Sequence, residues 1–220
     1  MSRLQAVVGS LKPFFSLWIV PRETIRRLVD TDPTRYVIGL AMLRGALGRL
    51  EFAWFSALSQ RTSPSPLWPV GVAFRVVLGA IVGVIGLYVG AWLVGLFCRI
   101  LGGVSSAIEM RAALAWSHVP GITAAIVSIA LVLCGALNPP EFKHSRLPVM
   151  TGSTIELMLV NAVLIGWGVV VQLNCIGEVN RFSAWRALGA ILLMIAALSV
   201  LILLVVYFPG GLSHGALATG

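Results

Sequence analysis

Charged residues are scarce in this sequence. They make up 11% of its 220 residues, where a soluble domain carries about 25%. So few charges cannot clothe a water-facing surface, and they leave little room for a soluble catalytic domain. Acidic side chains are the scarcer kind, 8 against 16 basic ones, for a net charge of +8, and 14 of the basic residues are Arg. The arginines lie between apolar stretches rather than on one polar face. They read as membrane-topology signals, not as a nucleic-acid surface, and no nucleic-acid partner is expected.

Cysteine is sparse as well. Cys98, Cys134 and Cys175 each fall in an apolar segment and none forms a C-x-x-C pair. That pattern indicates neither a disulfide framework nor a zinc site, and the three read as small buried packing residues. His118 has no second histidine beside it in an apolar stretch, so haem or metal ligation is not indicated either. There is no G-x-S-x-G, H-E-x-x-H, P-loop or dinucleotide fingerprint, and with them go the usual nucleophile, metal and phosphate chemistries. The expectation is a non-enzyme with no catalytic, cofactor-binding or metal-binding residues. Lys12 and Pro13 interrupt the first apolar residues and no small-residue cleavage site follows, so no cleaved signal peptide is expected.

What the sequence has in abundance is apolar length. The mean hydropathy is +0.95 and 58% of residues are apolar. Stretches at 76–98, 155–176 and 184–207 are each long enough to cross a bilayer, which takes about 20 mostly apolar residues. Two more come close. The expected fold class is all-α: a polytopic, five-helix transmembrane bundle with spans at about 36–58, 70–98, 107–137, 155–176 and 184–207. A lead-in at 1–35 precedes it and a short external tail at 208–220 follows.

The lead-in reads as interfacial. Phe14, Phe15 and Trp18 fall in an eight-residue apolar piece, too short to span and suited to the headgroup level. Pro21 fits the first position of a helix, with Glu23 in its first turn. Ile25, Leu28 and Val29 then share one face, and Arg22, Arg26 and Arg27 lie largely away from it. These three arginines are candidate contacts for anionic lipid headgroups. Asp32-Pro33 reads as an N-cap and first helical position.

The first span carries Arg44, Arg49 and Glu51. Arg44 and Glu51 are seven residues apart and project within about 20° of each other, while Arg49 points away. An Arg near a helix centre costs about 2.5–3.5 kcal/mol, so this face should meet protein or the interface. Structural pairing of the acid with its arginines is expected ahead of proton carriage, because a nearby Arg keeps a carboxylate ionised. The alternative is a half-inserted segment.

In the second span Arg75 can snorkel to the interface. Gly79 and Gly83, then Gly86 and Gly90, form two G-x-x-x-G pairs, which suit packing within one bundle before a dimer seam. Ser106-x-x-Glu109 is a capping box opening the third span. Pro120 should kink that span, with His118 hydrogen-bonded near the kink. Ser153-x-x-Glu156 is a second capping box. The fourth span offers Asn161, Gln172 and Asn174 for interhelical hydrogen bonds. Ser183 is a plausible N-cap of the last span.

With five spans, ten basic residues fall on one side: Arg3, Lys12, Arg22, Arg26, Arg27, Arg35, Arg99, Arg111, Arg181 and Arg186. The other side has Arg61, Lys143 and Arg146. The positive-inside rule then puts the N-terminus in the cytoplasm and the C-terminus outside.

Three stretches carry a resemblance. Residues 18–26 (Trp-Ile-Val-Pro-Arg-Glu-Thr-Ile-Arg), followed by Asp32-Pro33 and a modestly polar first span, resemble the start of bacterial Yip1-domain proteins. Residues 111–120, from Arg111 through Trp116 and His118 to Val119-Pro120, are similar to that family's third helix, and residues 180–188 to the turn before its last helix. The resemblance implies a five-helix membrane bundle with a cytoplasmic N-terminus and brings no catalytic residues with it. Eukaryotic members act in membrane trafficking with Rab GTPases. The long N-terminal region of those members is missing here, so that role does not carry over.

The functional expectation is a non-enzymatic inner-membrane scaffold or accessory subunit of a larger assembly. Its expected partners are the bilayer, with anionic lipids, and other membrane subunits or further copies of itself. The alternative is a small transporter or channel using Arg44, Arg49, Glu51, Arg75, His118 and Asn161.

Overall fold

Apolar stretches that cannot hydrogen-bond their backbone to lipid must do so internally, and the chain does this with helices throughout. The computed structural model describes residues 13–59, 68–133 and 152–215, and every regular element among them is helical. In order these are α1 (13–19), α2 (Pro21–Thr31), α3 (Val37–Ser59), α4 (Trp68–Ile100), α5 (Ala107–Ser117), α6 (Val119–Leu133), α7 (Gly152–Val179) and α8 (Ala184–Gly215). The expected loops at 59–69 and 138–152 lie outside the described residues except at their ends, where Ser59 closes α3, Trp68 and Pro69 open α4 and Gly152 opens α7; Cys134 and the side chains of the Ser153–Glu156 box lie outside the description as well.

Four stretches are long and apolar enough to cross a membrane: Trp68–Ile100, Ala107–Leu131, Leu159–Val179 and Ala184–Tyr207. Their outer surfaces are apolar too. Ile195, Val200, Leu201, Ile202 and Leu203 of α8 are all exposed, an arrangement that water penalises and lipid does not. The chain is a helical membrane protein. α3 is 23 residues long, about 34 Å at 1.5 Å per residue, and packs along α4 with α5 and α6 at its flank.

The core gathers at one end, which we call the α2 end. There α2 lies across α7 and α5, and α8 packs on α7 and α4. Ile25 and Leu28 are buried while Arg22, Arg26 and Arg27 are exposed, so the amphipathic pattern is met by protein. The lead-in is more deeply engaged than its length suggests. Leu17 is fully buried, and Phe14 stacks 4.9 Å from the buried ring of Trp116, which Tyr36 meets edge-on at 6.3 Å.

Two expectations about helix ends are corrected. Asp32 does not start a helix: its Oδ1 accepts from the Thr34 amide and hydroxyl at 3.0 and 2.7 Å. Those bonds close an Asx turn, Tyr36 takes the left-handed conformation at φ 59°, and α3 begins only at Val37. They also hold the Asp32 carboxyl below its ordinary pKa. The third span is not one kinked helix but two, α5 and α6, parted at His118. Pro120 has no amide to continue the ladder. The His118 amide instead tightens onto the Ala115 carbonyl at 3.2 Å, and the Ser117 hydroxyl donates to the Leu114 carbonyl at 2.7 Å.

The Ser106–Glu109 capping box is present in both directions. Just before it α4 ends in a Schellman turn. The Gly103 amide donates to the Cys98 carbonyl and that of Gly102 to Arg99, with Gly102 at φ +84°. α7 ends the same way: Phe182 donates to Gly177 and Arg181 to Glu178, with Arg181 itself at φ 57°.

Candidate functional site

α3 and α4 cross with their backbones in direct contact. A Cβ on Gly45 would lie 2.1 Å from the Gly79 carbonyl oxygen and 2.9 Å from the Gly83 Cα. One on Gly83 would lie 2.3 Å from the Ala41 carbonyl oxygen. The two backbones therefore touch through hydrogen atoms alone, the use small residues have where lipid gives no hydrophobic drive. The four glycines of the two G-x-x-x-G pairs in α4 divide here. Gly79 and Gly83 pack within the chain, whereas a Cβ on Gly86 or Gly90 would meet nothing within 4 Å.

Beside this crossing lies an open groove of about 490 Å³ lined by α3, α4 and His118. Arg44 and Arg49 both reach it. Counting from Val37, Arg44 is about 10 Å and Arg49 about 18 Å along α3. The Arg44 guanidinium extends towards the α5–α6 break, where its Nε is 3.4 Å from the place a Gly121 Cβ would take. It is near enough to act through space on both His118 and Glu51. Arg49, expected to point away from Arg44, bends over α4 instead: its Cγ would be 2.5 Å from a Cβ on Gly79, so the missing side chain is what admits it.

The expected Arg–Glu51 pair does not close. The ion pairs among the described residues are Arg22–Glu178, Arg26–Glu178 and Arg27–Glu23. None includes Arg44, Arg49 or Glu51. Arg44 instead lies between Gly48 and Gly121, its Nη1 3.1 Å and its Nε 3.4 Å from where Cβ atoms on those two glycines would be. Arg75 is exposed near the start of α4. Asn161 bonds between helices, donating through Nδ2 to the Ser128 hydroxyl of α6 at 3.1 Å.

The basic face of α2 is engaged with α7. Arg22 and Arg26 grip Glu178, and the Arg22 Nε donates to Asn174 Oδ1 at 2.9 Å. Asn174 thus ties α7 to α2; Gln172 makes no interhelical hydrogen bond among the described residues. Arg27 is paired along its own helix with Glu23.

Sequence reasoning missed the most buried polar contact. The Ser105 hydroxyl donates at 2.9 Å to Oδ1 of Asn180, which is 1% exposed and whose Nδ2 donates to the Ile176 carbonyl at 2.8 Å. A Cβ on Gly103 would lie 2.3 Å from that Oδ1. The two Schellman turns are thereby locked face to face. Glu178 was also missed, and a signal existed: it is the acidic residue that ends an otherwise apolar α7, with arginines expected on the same side.

Among the described residues no group of His, Cys, Asp and Glu is placed to hold a metal ion. What the α3–α4 groove offers is two guanidinium groups and an imidazole facing an open space. That arrangement suits an anionic group: a carboxylate, a phosphate or a small anion. The family model described as the Yip1 domain matches residues 15–207. No curated protein and no solved structure matches the chain.

Proposed function

The chain belongs to the Yip1 domain family, and on that footing we propose a non-catalytic scaffold or accessory subunit of a larger membrane assembly. The observation that carries this reading is the open groove with Arg44 and Arg49, neither ion-paired within the described residues. A cation in apolar surroundings costs about 2.5–3.5 kcal/mol, and such residues commonly pair with a partner inside the bundle. The chemistry that fits is a carboxylate on a helix of another subunit or of a second copy. Gly86 and Gly90, open on α4, would let such a helix come close.

In this reading α3 is the fifth span. The α2 end faces the cytoplasm, the C-terminus lies outside, and the membrane is the bacterial inner membrane. The ten-to-three division of basic residues supports that orientation. The test is mass determination after purification from native membranes in mild detergent. Expected is a protein complex heavier than the 23.4 kDa chain, lost when Arg44 and Arg49 are both changed to Gln. A strictly monomeric species with no co-purifying protein would overturn the reading.

The groove also favours a second reading, a small transporter of anions, because it reaches the helix break at His118. Anion flux into proteoliposomes that falls at least tenfold in Arg44→Gln would support it. Flux equal to that of empty vesicles would remove it.

A further inference from the structure

The two short helices of the lead-in turn opposite kinds of surface outward. On α2 every exposed residue is polar: Arg22, Glu23, Arg26, Arg27, Asp30 and Thr31. On α1 both exposed residues are apolar, Phe15 at 71% and Ile19 at 82%. They are four positions apart and share one face, with the half-buried Trp18 beside them. The opposite face of α1 is apolar as well. There Leu17 is fully buried and Phe14 stacks on Trp116. α1 is thus apolar on two sides, one packed on protein and one uncovered by any described residue.

The place of α1 in the fold points to what covers its second side. Trp116 is nine residues beyond Ala107, about 14 Å along α5, so Phe14 meets the bundle on its flank and not at its tip. The Tyr36 ring is 6.3 Å from that of Phe14. From Tyr36 the exposed apolar surface continues along α3 through Ile38 and Met42. Water penalises such a surface and lipid does not. The one hydroxyl of α1 is satisfied inside the protein: Ser16 accepts from the Thr24 hydroxyl at 3.0 Å and donates to the Pro13 carbonyl at 3.4 Å. Trp18 carries the amphipathic ring that favours the boundary between lipid and water.

We propose that α1 anchors the lead-in in the bilayer. Phe15 and Ile19 enter the hydrocarbon edge of the leaflet at the α2 end, Trp18 lies at its boundary, and the polar face of α2 stays in water. The contact is apolar, so it carries no preference for lipid charge. This reverses the roles first expected within the lead-in. Arg22, Arg26 and Arg27, the candidates for anionic headgroups, are taken up by Glu178 and Glu23, and the apolar face of α2 is buried in protein.

The test is spin labelling of single cysteines in the full chain, in vesicles of phosphatidylcholine with and without phosphatidylglycerol. Cys98, Cys134 and Cys175 are first changed to Ala. Labels on Phe15→Cys and Ile19→Cys are compared with labels on Glu23→Cys and Arg27→Cys. Each is exposed to oxygen, which concentrates in hydrocarbon, and to a nickel chelate, which stays in water. The oxygen-to-nickel ratio should be at least about tenfold higher at 15 and 19 than at 23 and 27, and should agree within about twofold between the two vesicle types. A second readout keeps the native cysteines: phosphatidylcholine brominated on its acyl chains should quench the fluorescence that Trp18→Phe removes. Equal ratios at all four positions would overturn the assignment. So would a high ratio only with phosphatidylglycerol, labels at 15 and 19 shielded from both reagents as they would be beneath another protein, or an unquenched Trp18.

Discussion

Replacing Gly45 by Ala adds one methyl group, and the structure leaves no place for it. The new Cβ would sit 2.1 Å from the Gly79 carbonyl oxygen and 2.9 Å from the Gly83 Cα, where ordinary contact begins at 3.4 Å. Both obstacles are backbone, so no side chain can swing aside, and α3 must lift away from α4. Overpacking of this kind costs about 1–3 kcal/mol, which lowers the folding equilibrium about 5- to 150-fold. Gly86→Ala is the matched control, the same chemical change on the same pair of helices. Its Cβ meets nothing within 4 Å, and Ala is the better helix former by up to about 1 kcal/mol. The assay is thermal unfolding in one detergent, followed by the intrinsic fluorescence of the seven Trp residues. Gly45→Ala should melt clearly below wild type and Gly86→Ala at or above it. Gly83→Ala should resemble Gly45→Ala, and the double variant should lose less than the sum, since either methyl alone already parts the helices. Equal melting of Gly45→Ala and Gly86→Ala would refute the close crossing and the groove built beside it.

Asn180→Ala should cost about 1–3 kcal/mol in the same melt, because it strands the buried Ser105 hydroxyl without its acceptor; a variant as stable as wild type would contradict that contact. Glu178→Gln should loosen α2 alone. About 1 kcal/mol of lost pairing predicts amide exchange over 21–31 roughly fivefold faster, and unchanged exchange there would show that the arginines do not hold the helix. Asp32 has a folded-state pKa depressed chiefly by the Thr34 side-chain hydrogen bond. Its share of stability is therefore full above the unfolded value, about 3.9, and disappears as pH falls through the folded value. Thr34→Val should raise the Asp32 pKa measured by NMR, and an unmoved titration would sink the Asx turn as its cause.

Long apolar stretches made the spanning helices legible, because length alone identifies them. Local chemistry was legible as well. The Ser106–Glu109 box and the Ile25–Leu28 face rest on residues within four positions of each other, where spacing fixes geometry. Asn161 was found because a polar residue in an apolar helix needs a partner, and Ser128 supplies one. Which side of α4 or α8 faces protein was not legible, since lipid and core are both apolar and periodicity has nothing to contrast. Arg49 was misplaced for a related reason. Its direction follows from the backbone of α3, but its side chain bends over Gly79 of another helix. The Asp32 turn shows a different failure: the N-cap signal and the Asx turn use the same residue types. Ser105 and Asn180 lie 75 positions apart, and no local rule relates them.

The last turn of α7 also bears on how the chain is assembled. Asn174, Glu178 and Asn180 supply partners to Arg22, Arg26 and Ser105, residues synthesised long before them. A ribosome delivers the N-terminal groups first, so α2 and the α4–α5 turn must wait for their clasp until nearly the whole bundle has entered the membrane. Until then two arginines and a serine lack the partners that α7 later gives them. A nascent chain halted before residue 174 therefore differs from a finished one in having none of these contacts.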